Sequence, residues 1–428
     1  MLQYSSLDNV TKIEDHFKNG KIQMSRDVFR VTNFVCINRL ERWKILIPFL
    51  SMMFTFMACT QRNTVTGYIK GLTNDTIFVD VSSLEYIENE PVRDTIFAKN
   101  GRFEYAFPND GVFGLSFSFP QFFVHNRPSG GVYTPNNSCL IVFAEQGNKI
   151  HLKGNINSTG LNNVIVSGSE LNRDFSSIQN KMYEICINEA VEEMAFEQAM
   201  VNNNREEYAT GFAKRQKRVN ARQELYSNYI RANLDNPLSA YLLSRQPLDS
   251  VGKYYDQLGE NACNSIFRYA LGKKMEIYKE YIAVMKAQEE IIVGNIAPDF
   301  TLEDMDGKPL SLSSLRGKYV IIDFWGSWCG HCIPEFPKMK SVYEKYKNKI
   351  EILGVAYNEK SVNGWQDAVK RYELPWINVY DDKLSAVKVK YGIEAAPTKI
   401  LIDPEGTILL REQGAREDFY TNLENVIK

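Results

Sequence analysis

The sequence predicts an α/β domain over residues 294–428, preceded by an antiparallel β-rich domain over 64–167 and a helical region over 170–290. Three patterns carry this reading. Apolar residues recur with a period of two through the first of these segments in chain order. They recur at helical spacing through the second, and the last third alternates apolar strands with amphipathic stretches. At 428 residues the chain is too long for one ordinary domain. Its composition, 44% hydrophobic and 24% charged, is that of a globular protein. A formal charge of −2 gives no reason to expect a polyanion partner, so no nucleic acid is expected.

The leader is set apart from the fold. Residues Ile45 to Ala58 read ILIPFLSMMFTFMA, an uncharged, mostly apolar run behind Arg39, Arg42 and Lys44, with Glu41 among them. It is shorter than the roughly 18 residues that a membrane-spanning helix needs, and it fits the apolar core of a secretory signal. Met57-Ala58-Cys59 follows, then a polar stretch. A small residue before cysteine at the end of such a run resembles a bacterial lipoprotein signal, which implies acylation of Cys59 and a mature chain beginning there. Phe56 departs from that pattern, which usually has an aliphatic residue three before the cysteine. The remaining readings of the run are an ordinary signal peptide or a buried helix with an incidental cysteine. Residues 1–40 are long for an export signal, and Glu14, Asp15 and Asp27 dilute its positive charge. Translation is therefore expected to start downstream, at Met24 or at a non-Met codon nearer Arg39. Residues 1–58 are kept out of the fold argument.

In the β-rich segment, Asn100-Gly101 separates two alternating runs, with Phe103, Tyr105 and Phe107 on one face. Asn-Gly is the favoured two-residue hairpin loop because both positions take positive φ. Further strands are expected over 76–84, 112–119, 139–145 and 163–169, with a turn at Gly147-Asn148. This spacing predicts a small sandwich or barrel. His125 and His151 stand alone and are read as ordinary core or surface residues. The segment resembles the β-rich domain of unknown function found ahead of redox domains in exported bacterial proteins.

From Glu170 to Glu290 the pattern is helical, broken at Asn202-Asn203-Asn204, Asn236-Pro237 and Pro247. The basic cluster Lys214, Arg215, Lys217, Arg218 and Arg222 is read as a solvated helix face, given the nearby Glu206, Glu207 and Glu224. Cys139, Cys186 and Cys263 are read as small buried side chains, with a Cys186–Cys263 disulfide as the sharper alternative.

The chemistry is expected after the junction at Gly294-Asn295. Residues 318–346 give an apolar strand, a short loop and an amphipathic helix, with Cys329 and Cys332 where loop meets helix. A helix N-terminus carries about half a positive charge and free N–H groups, and both stabilise a thiolate. A cysteine there is a better nucleophile near neutral pH. The C-x-x-C spacing lets Cys329 attack a substrate disulfide and Cys332 resolve the mixed disulfide. Half of a zinc site has the same spacing, but no second pair exists to complete four ligands, so no metal is expected.

Trp328-Cys329-Gly330-His331-Cys332, with Phe324-Trp325 before it, resembles a thioredoxin-fold active site. The wider pattern W-C-x-x-C-x-x-E-x-P is met by Trp328, Cys329, Cys332, Glu335 and Pro337. With Ala297-Pro298-Asp299-Phe300, it is similar to the TlpA/ResA-like branch of exported thioredoxins, a group that carries AhpC/TSA-type descriptions. The resemblance covers about 130 residues and implies further roles. Asp323 matches the buried acid of thioredoxins, its pKa raised by burial so that it takes or holds the proton of Cys332. Pro337 is expected to kink the helix. Ala396-Pro397 matches the family's cis-proline, leaving the Ala396 backbone to pair with an extended substrate chain, with Trp328 also at the substrate surface. His331 is expected to stabilise the Cys329 thiolate and make the pair more oxidising, as in disulfide isomerases, whereas the family pattern implies a reductase. The expected sheet is mixed, with helices on both faces.

Taken together, these readings imply a membrane-anchored, periplasm-facing thiol-disulfide oxidoreductase with no cofactor beyond its redox-active disulfide. Its expected partners are proteins with disulfides or thiols, cytochrome c-type biogenesis apoproteins among them. A membrane electron donor or acceptor, and a bilayer reached through an acyl anchor, complete the set. One alternative is a non-enzymatic surface binding module on a thioredoxin scaffold. The other, a thiol peroxidase, needs Thr or Ser three residues before the reactive cysteine, where this chain has Gly326.

Overall fold

The computed structural model describes residues 63–85, 90–108, 110–123, 126–382 and 386–427; the leader with Cys59, and His125, lie outside the described residues. Within the unit Thr60–Lys428, the first eight strands are β1 (Thr64–Lys70), β2 (Thr76–Ser83), β3 (Val92–Phe97), β4 (Arg102–Ala106), β5 (Val112–Ser118), β6 (Cys139–Glu145), β7 (Lys149–Asn157) and β8 (Gly160–Ser167). They form two four-stranded sheets, ordered β4-β1-β7-β8 and β3-β2-β5-β6. Alternate residues of both, among them Val65, Phe103, Phe117, Leu140 and Ile150, close one core, so the segment is a sandwich. All pairings are antiparallel except β1 with β7, which is parallel. Asn100 and Gly101 do take positive φ, 48° and 74°. The turn they make is nevertheless a corner rather than a hairpin. Only Lys99 and Arg102 pair across it, and β3 and β4 leave for different sheets.

Both sheets end in an edge strand, and an unpaired edge is a liability. Helix α1 (Glu170–Ile185) covers β6 and β8 with three side-chain amides. Asn172 bonds both N–H and C=O of Phe143, Gln179 does the same at Ile141, and Asn180 at Val164. Each carboxamide thereby stands in for a residue of a missing neighbouring strand.

Helices α2 (Glu189–Val201), α3 (Arg205–Ala232), α4 (Pro237–Ser244), α5 (Leu248–Tyr254) and α6 (Arg268–Glu290) follow. Asn204 and Asn236 cap α3 and α4 with their side chains, and Pro237 occupies the first turn of α4, which is why these breaks were readable. Phe143 of β6 enters the helical core, its ring 5.0 Å from Phe175, 4.8 Å from Tyr241 and 4.7 Å from Phe267. The solvated-face reading of the basic cluster holds at the exposed Lys214, Arg215 and Lys217 and needs correcting at Arg218. Arg218 is largely buried and pairs with Glu192 and Glu193 of α2, and Arg215 also reaches Glu193. Cys139, Cys186 and Cys263 are free thiols, so the alternative disulfide is not formed. His151 is exposed and bonds Thr66.

The last third adds β9 (Thr301–Asp304), β10 (Pro309–Ser311), β11 (Tyr319–Trp325), α7 (Phe336–Tyr346), β12 (Ile350–Tyr357), α8 (Val362–Arg371), β13 (Ile377–Asp381), β14 (Thr398–Ile402), β15 (Ile408–Gln413) and α9 (Glu417–Ile427). The sheet is mixed and seven-stranded, ordered β10-β9-β13-β12-β11-β14-β15. Its faces are covered unequally. Residues of α7, α8 and α9 share one core with Ile321 and Trp325. The other face is closed by Ile291, Phe300, Leu312 and the turn Val387–Tyr391 instead of by long helices. The junction at Gly294 is no free linker, since Gly294, Asn295 and Ala297 bond to Gly406 and Ile408 beside β15.

Candidate active site

Strand β11 lies at the centre of the sheet, parallel to β12 and antiparallel to β14, and its C-terminal end delivers the chain to the cysteines. Cys329 and Cys332 form a disulfide with Cα atoms 5.4 Å apart. The following turn is 3-10 over Ile333–Glu335 and becomes α only at Phe336. Pro337 sits in that first α turn, where its missing N–H removes a bond to the preceding turn; the expected kink is a change of helix type. The helix start meets the sulfur directly, because the Cys332 N–H donates to Cys329 Sγ at 3.1 Å.

Burial separates the two sides of the site. Cys329 and Cys332 are 4% and 2% exposed, while Trp328 is 50% exposed and His331 lies on the surface between the cysteines. The Trp328 indole folds back, donating to the Tyr357 carbonyl at 3.1 Å. Gly326 makes room for it, since a Cβ there would stand 2.3 Å from Trp328 Nε1. Ser327 anchors the loop through its N–H and hydroxyl, both donated to the Glu359 carboxylate. The Ala396–Pro397 bond is cis. Pro397 is buried, and its carbonyl accepts from the Gly414 N–H at 2.7 Å. The Ala396 N–H and C=O have no partner among the described residues. Helix α6 braces the segment just before it: Gln288 donates to the Gly392 carbonyl at 3.0 Å and Glu280 pairs with Lys388.

Asp323 is 1% exposed and faces the layer that holds both cysteines, as do Ile321 and Trp325 two residues to either side. Burial pushes its carboxyl pKa up; Lys399 pulls against that, and Glu335 adds to it. Sequence reasoning missed Lys399 and Glu359, and gave Glu335 no role beyond its place in the motif. The signal for Lys399 was present: a lysine in TKILID, a strand otherwise apolar enough for a sheet centre, must find a buried partner. Among the described residues, no group of three or more His, Cys, Asp or Glu side chains could hold a metal.

Residues 293–411 match the AhpC/TSA family. The thiol-disulfide oxidoreductase ResA of Bacillus subtilis (strain 168) is 35% identical over 153 residues, 35% of this chain and 84% of that protein. ResA of Bacillus cereus (strain ATCC 10987 / NRS 248) is 34% identical over 149 residues, with the same 35% and 84% coverage. Among solved structures, the thioredoxin domain of a thiol-disulfide oxidoreductase from Bacteroides vulgatus is 31% identical. That alignment covers 32% of this chain and 99% of the other, with a TM-score of 0.30. Through its C-terminal domain, the chain belongs to the TlpA/ResA-like thiol-disulfide oxidoreductases.

Proposed function

We propose that the protein is an envelope-located reductase of protein disulfides that works through Cys329 and Cys332. The observation that carries exchange through this pair is the Cys332 N–H bonded to Cys329 Sγ at the start of the helix, which favours the Cys329 thiolate once the disulfide is reduced. The reducing direction follows from the resemblance to the TlpA/ResA-like branch. An incoming chain would lie along Trp328 and pair with the free Ala396 backbone. Cys329 attacks the substrate disulfide, Cys332 resolves the mixed disulfide, and Asp323 takes the Cys332 proton. No cofactor beyond the cysteine pair is needed for these steps. A donor of two electrons at the membrane then returns the pair to its dithiol form. The contacts of α6 before Ala396 support a role for residues 64–290 in presenting that loop to selected substrates.

His331 favours a second reading as an isomerase or oxidase, because it lies exposed between the cysteines, where it can stabilise the thiolate. The reduction potential of the pair, equilibrated against glutathione and dithiothreitol, separates the two. A value at or below roughly −250 mV is expected for the reductase. One above roughly −200 mV would replace that reading with the isomerase or oxidase.

Anchoring by an acyl chain on Cys59 belongs to the same proposal. Cells fed labelled palmitate should give a labelled protein, and Cys59→Ala should carry no label. N-terminal sequencing of the Cys59→Ala precursor would locate the true start. A first residue at Met1 would contradict the downstream start.

A further inference from the structure

Asp323 and Lys399 are directly opposed on β11 and β14. Lys399 is 3% exposed and flanked by Thr398, Ile400, Leu401 and Ile402, all buried. Its ammonium lies 3.5 Å from Asp323 Oδ1 and donates a hydrogen bond to Glu335 Oε2, one helical turn after Cys332. Asp323 Oδ1 itself has no hydrogen-bond partner among the described residues. The buried Tyr420 hydroxyl of α9, also without a hydrogen-bond partner there, feels both carboxyls, and the Lys338 ammonium lies 4.6 Å over its ring. The charged and titratable groups that act on Asp323 are thus Lys399, Glu335 and Tyr420, with Cys332 in the same core layer in the reduced protein.

One ammonium and two carboxylates would leave an uncompensated negative charge in a site that excludes water. Burial penalises that net charge, so the cluster favours holding one proton. The two carboxyls are not equivalent holders. Glu335 accepts the charge-assisted hydrogen bond from Lys399, while Asp323 has only the longer ion-pair contact.

We propose that Lys399 is a positioning residue that divides labour between the two acids: by engaging Glu335 it leaves Asp323 as the group that exchanges a proton with Cys332. This rests on the thiol-disulfide reading of the site. In the mixed disulfide, the Cys332 thiol gives its proton to the Asp323 carboxylate, which becomes neutral and relieves the cluster of its excess charge. The Cys332 thiolate attacks Cys329 Sγ. The bond from Cys329 to the substrate sulfur breaks, and the substrate leaves as a thiolate with the bonding pair. The Cys329–Cys332 disulfide forms, and two electrons have passed to what was the substrate's disulfide.

The test is the reaction of the reduced mature protein with 5,5′-dithiobis(2-nitrobenzoate), followed by stopped flow from about pH 5 to 9. The first release of thionitrobenzoate reports attack by Cys329 and serves as the reference in each variant. The second reports resolution by Cys332, and its rate should rise with pH through the ionisation of Asp323. Lys399→Met should move that inflection up by about one pH unit or more, because Asp323 loses its cation. Glu335→Gln should move it down by a similar amount, because Asp323 loses a negative neighbour and has Lys399 to itself. The double variant should return toward the wild-type position. A purely structural role for Lys399 cannot produce opposite shifts. Shifts of the same sign, or none, with a normal first phase would overturn this proposal alone. Absence of both phases in the wild type would overturn the oxidoreductase reading and this proposal with it. If Lys399→Met does not fold, Glu335→Gln still decides, since an upward or absent shift contradicts the division of labour.

Discussion

Cys329→Ser is expected to lower disulfide-exchange turnover by at least about 10³-fold, because a serine hydroxyl supplies almost no alkoxide near neutral pH. Insulin reduction by the mature protein, driven by dithiothreitol at a concentration too low to act alone, measures this. Cys332→Ser should behave differently. The nucleophile remains at the helix start but its resolving partner is gone, so Cys329 should accumulate as a mixed disulfide with substrate, visible on a non-reducing gel and collapsed by reductant. The pair of variants also separates the readings of the domain. A binding module on a thioredoxin scaffold would keep its ligand in both and trap nothing. A thiol peroxidase would consume hydrogen peroxide, and Gly326, in place of the hydroxyl residue such enzymes carry there, argues against it. Full turnover in Cys329→Ser would remove this cysteine from the mechanism altogether.

The cysteine pair was legible because its chemistry is local: two sulfurs, a helix start and a strand all lie within one stretch of chain. Asp323 and Pro397 were readable because they stand at fixed offsets in a recognisable motif. Lys399 was not, because its meaning depends on the register of β14 against β11, a pairing between residues 76 positions apart. Alternation alone says that a lysine shares a face with Leu401; only the register says that this face holds Asp323. The same limit explains the sandwich. Asn100-Gly101 correctly announced a turn with two positive φ angles, but which sheet each flanking strand joins is decided by distant partners, β2 for one and β1 for the other. Asn172, Gln179 and Asn180 of α1 carry no local signal of their role, because the edge-strand backbones they pair are set by the register of distant strands. Two helix breaks, by contrast, are carried by caps that act within four residues, Asn204 and Asn236, while the break between Ile185 and Glu189 has no side-chain cap and left no such signal in the helical pattern.

Phe143→Ala is expected to destabilise the N-terminal half by about 3–5 kcal/mol, the usual cost of emptying a phenylalanine site in a packed core. The size follows from where the ring sits. It is 2% exposed and meets Phe175, Tyr241 and Phe267 at centroid separations of 4.7–5.0 Å, so its loss opens a cavity lined by three rings that rigid helices hold in place. It also projects from the edge strand whose open side is paired by α1, with Asn172 at Phe143 itself and Gln179 at Ile141, so the same change loosens the seam between sandwich and helices. The chain offers a way to read the two halves apart. Every tryptophan of residues 60–428 (Trp325, Trp328, Trp365 and Trp376) lies in the C-terminal domain, so indole fluorescence follows that domain while far-UV circular dichroism follows the whole. Urea unfolding of Phe143→Ala should therefore shift the dichroism transition strongly to lower denaturant and the fluorescence transition much less. A dichroism transition left in place would mean that sandwich and helices stand independently of this contact. A fluorescence transition shifted equally far would mean that the bracing of Gly392 by α6 joins both halves into one cooperative unit. In that case the N-terminal segment would bear on the Ala396 loop through stability as well as through position.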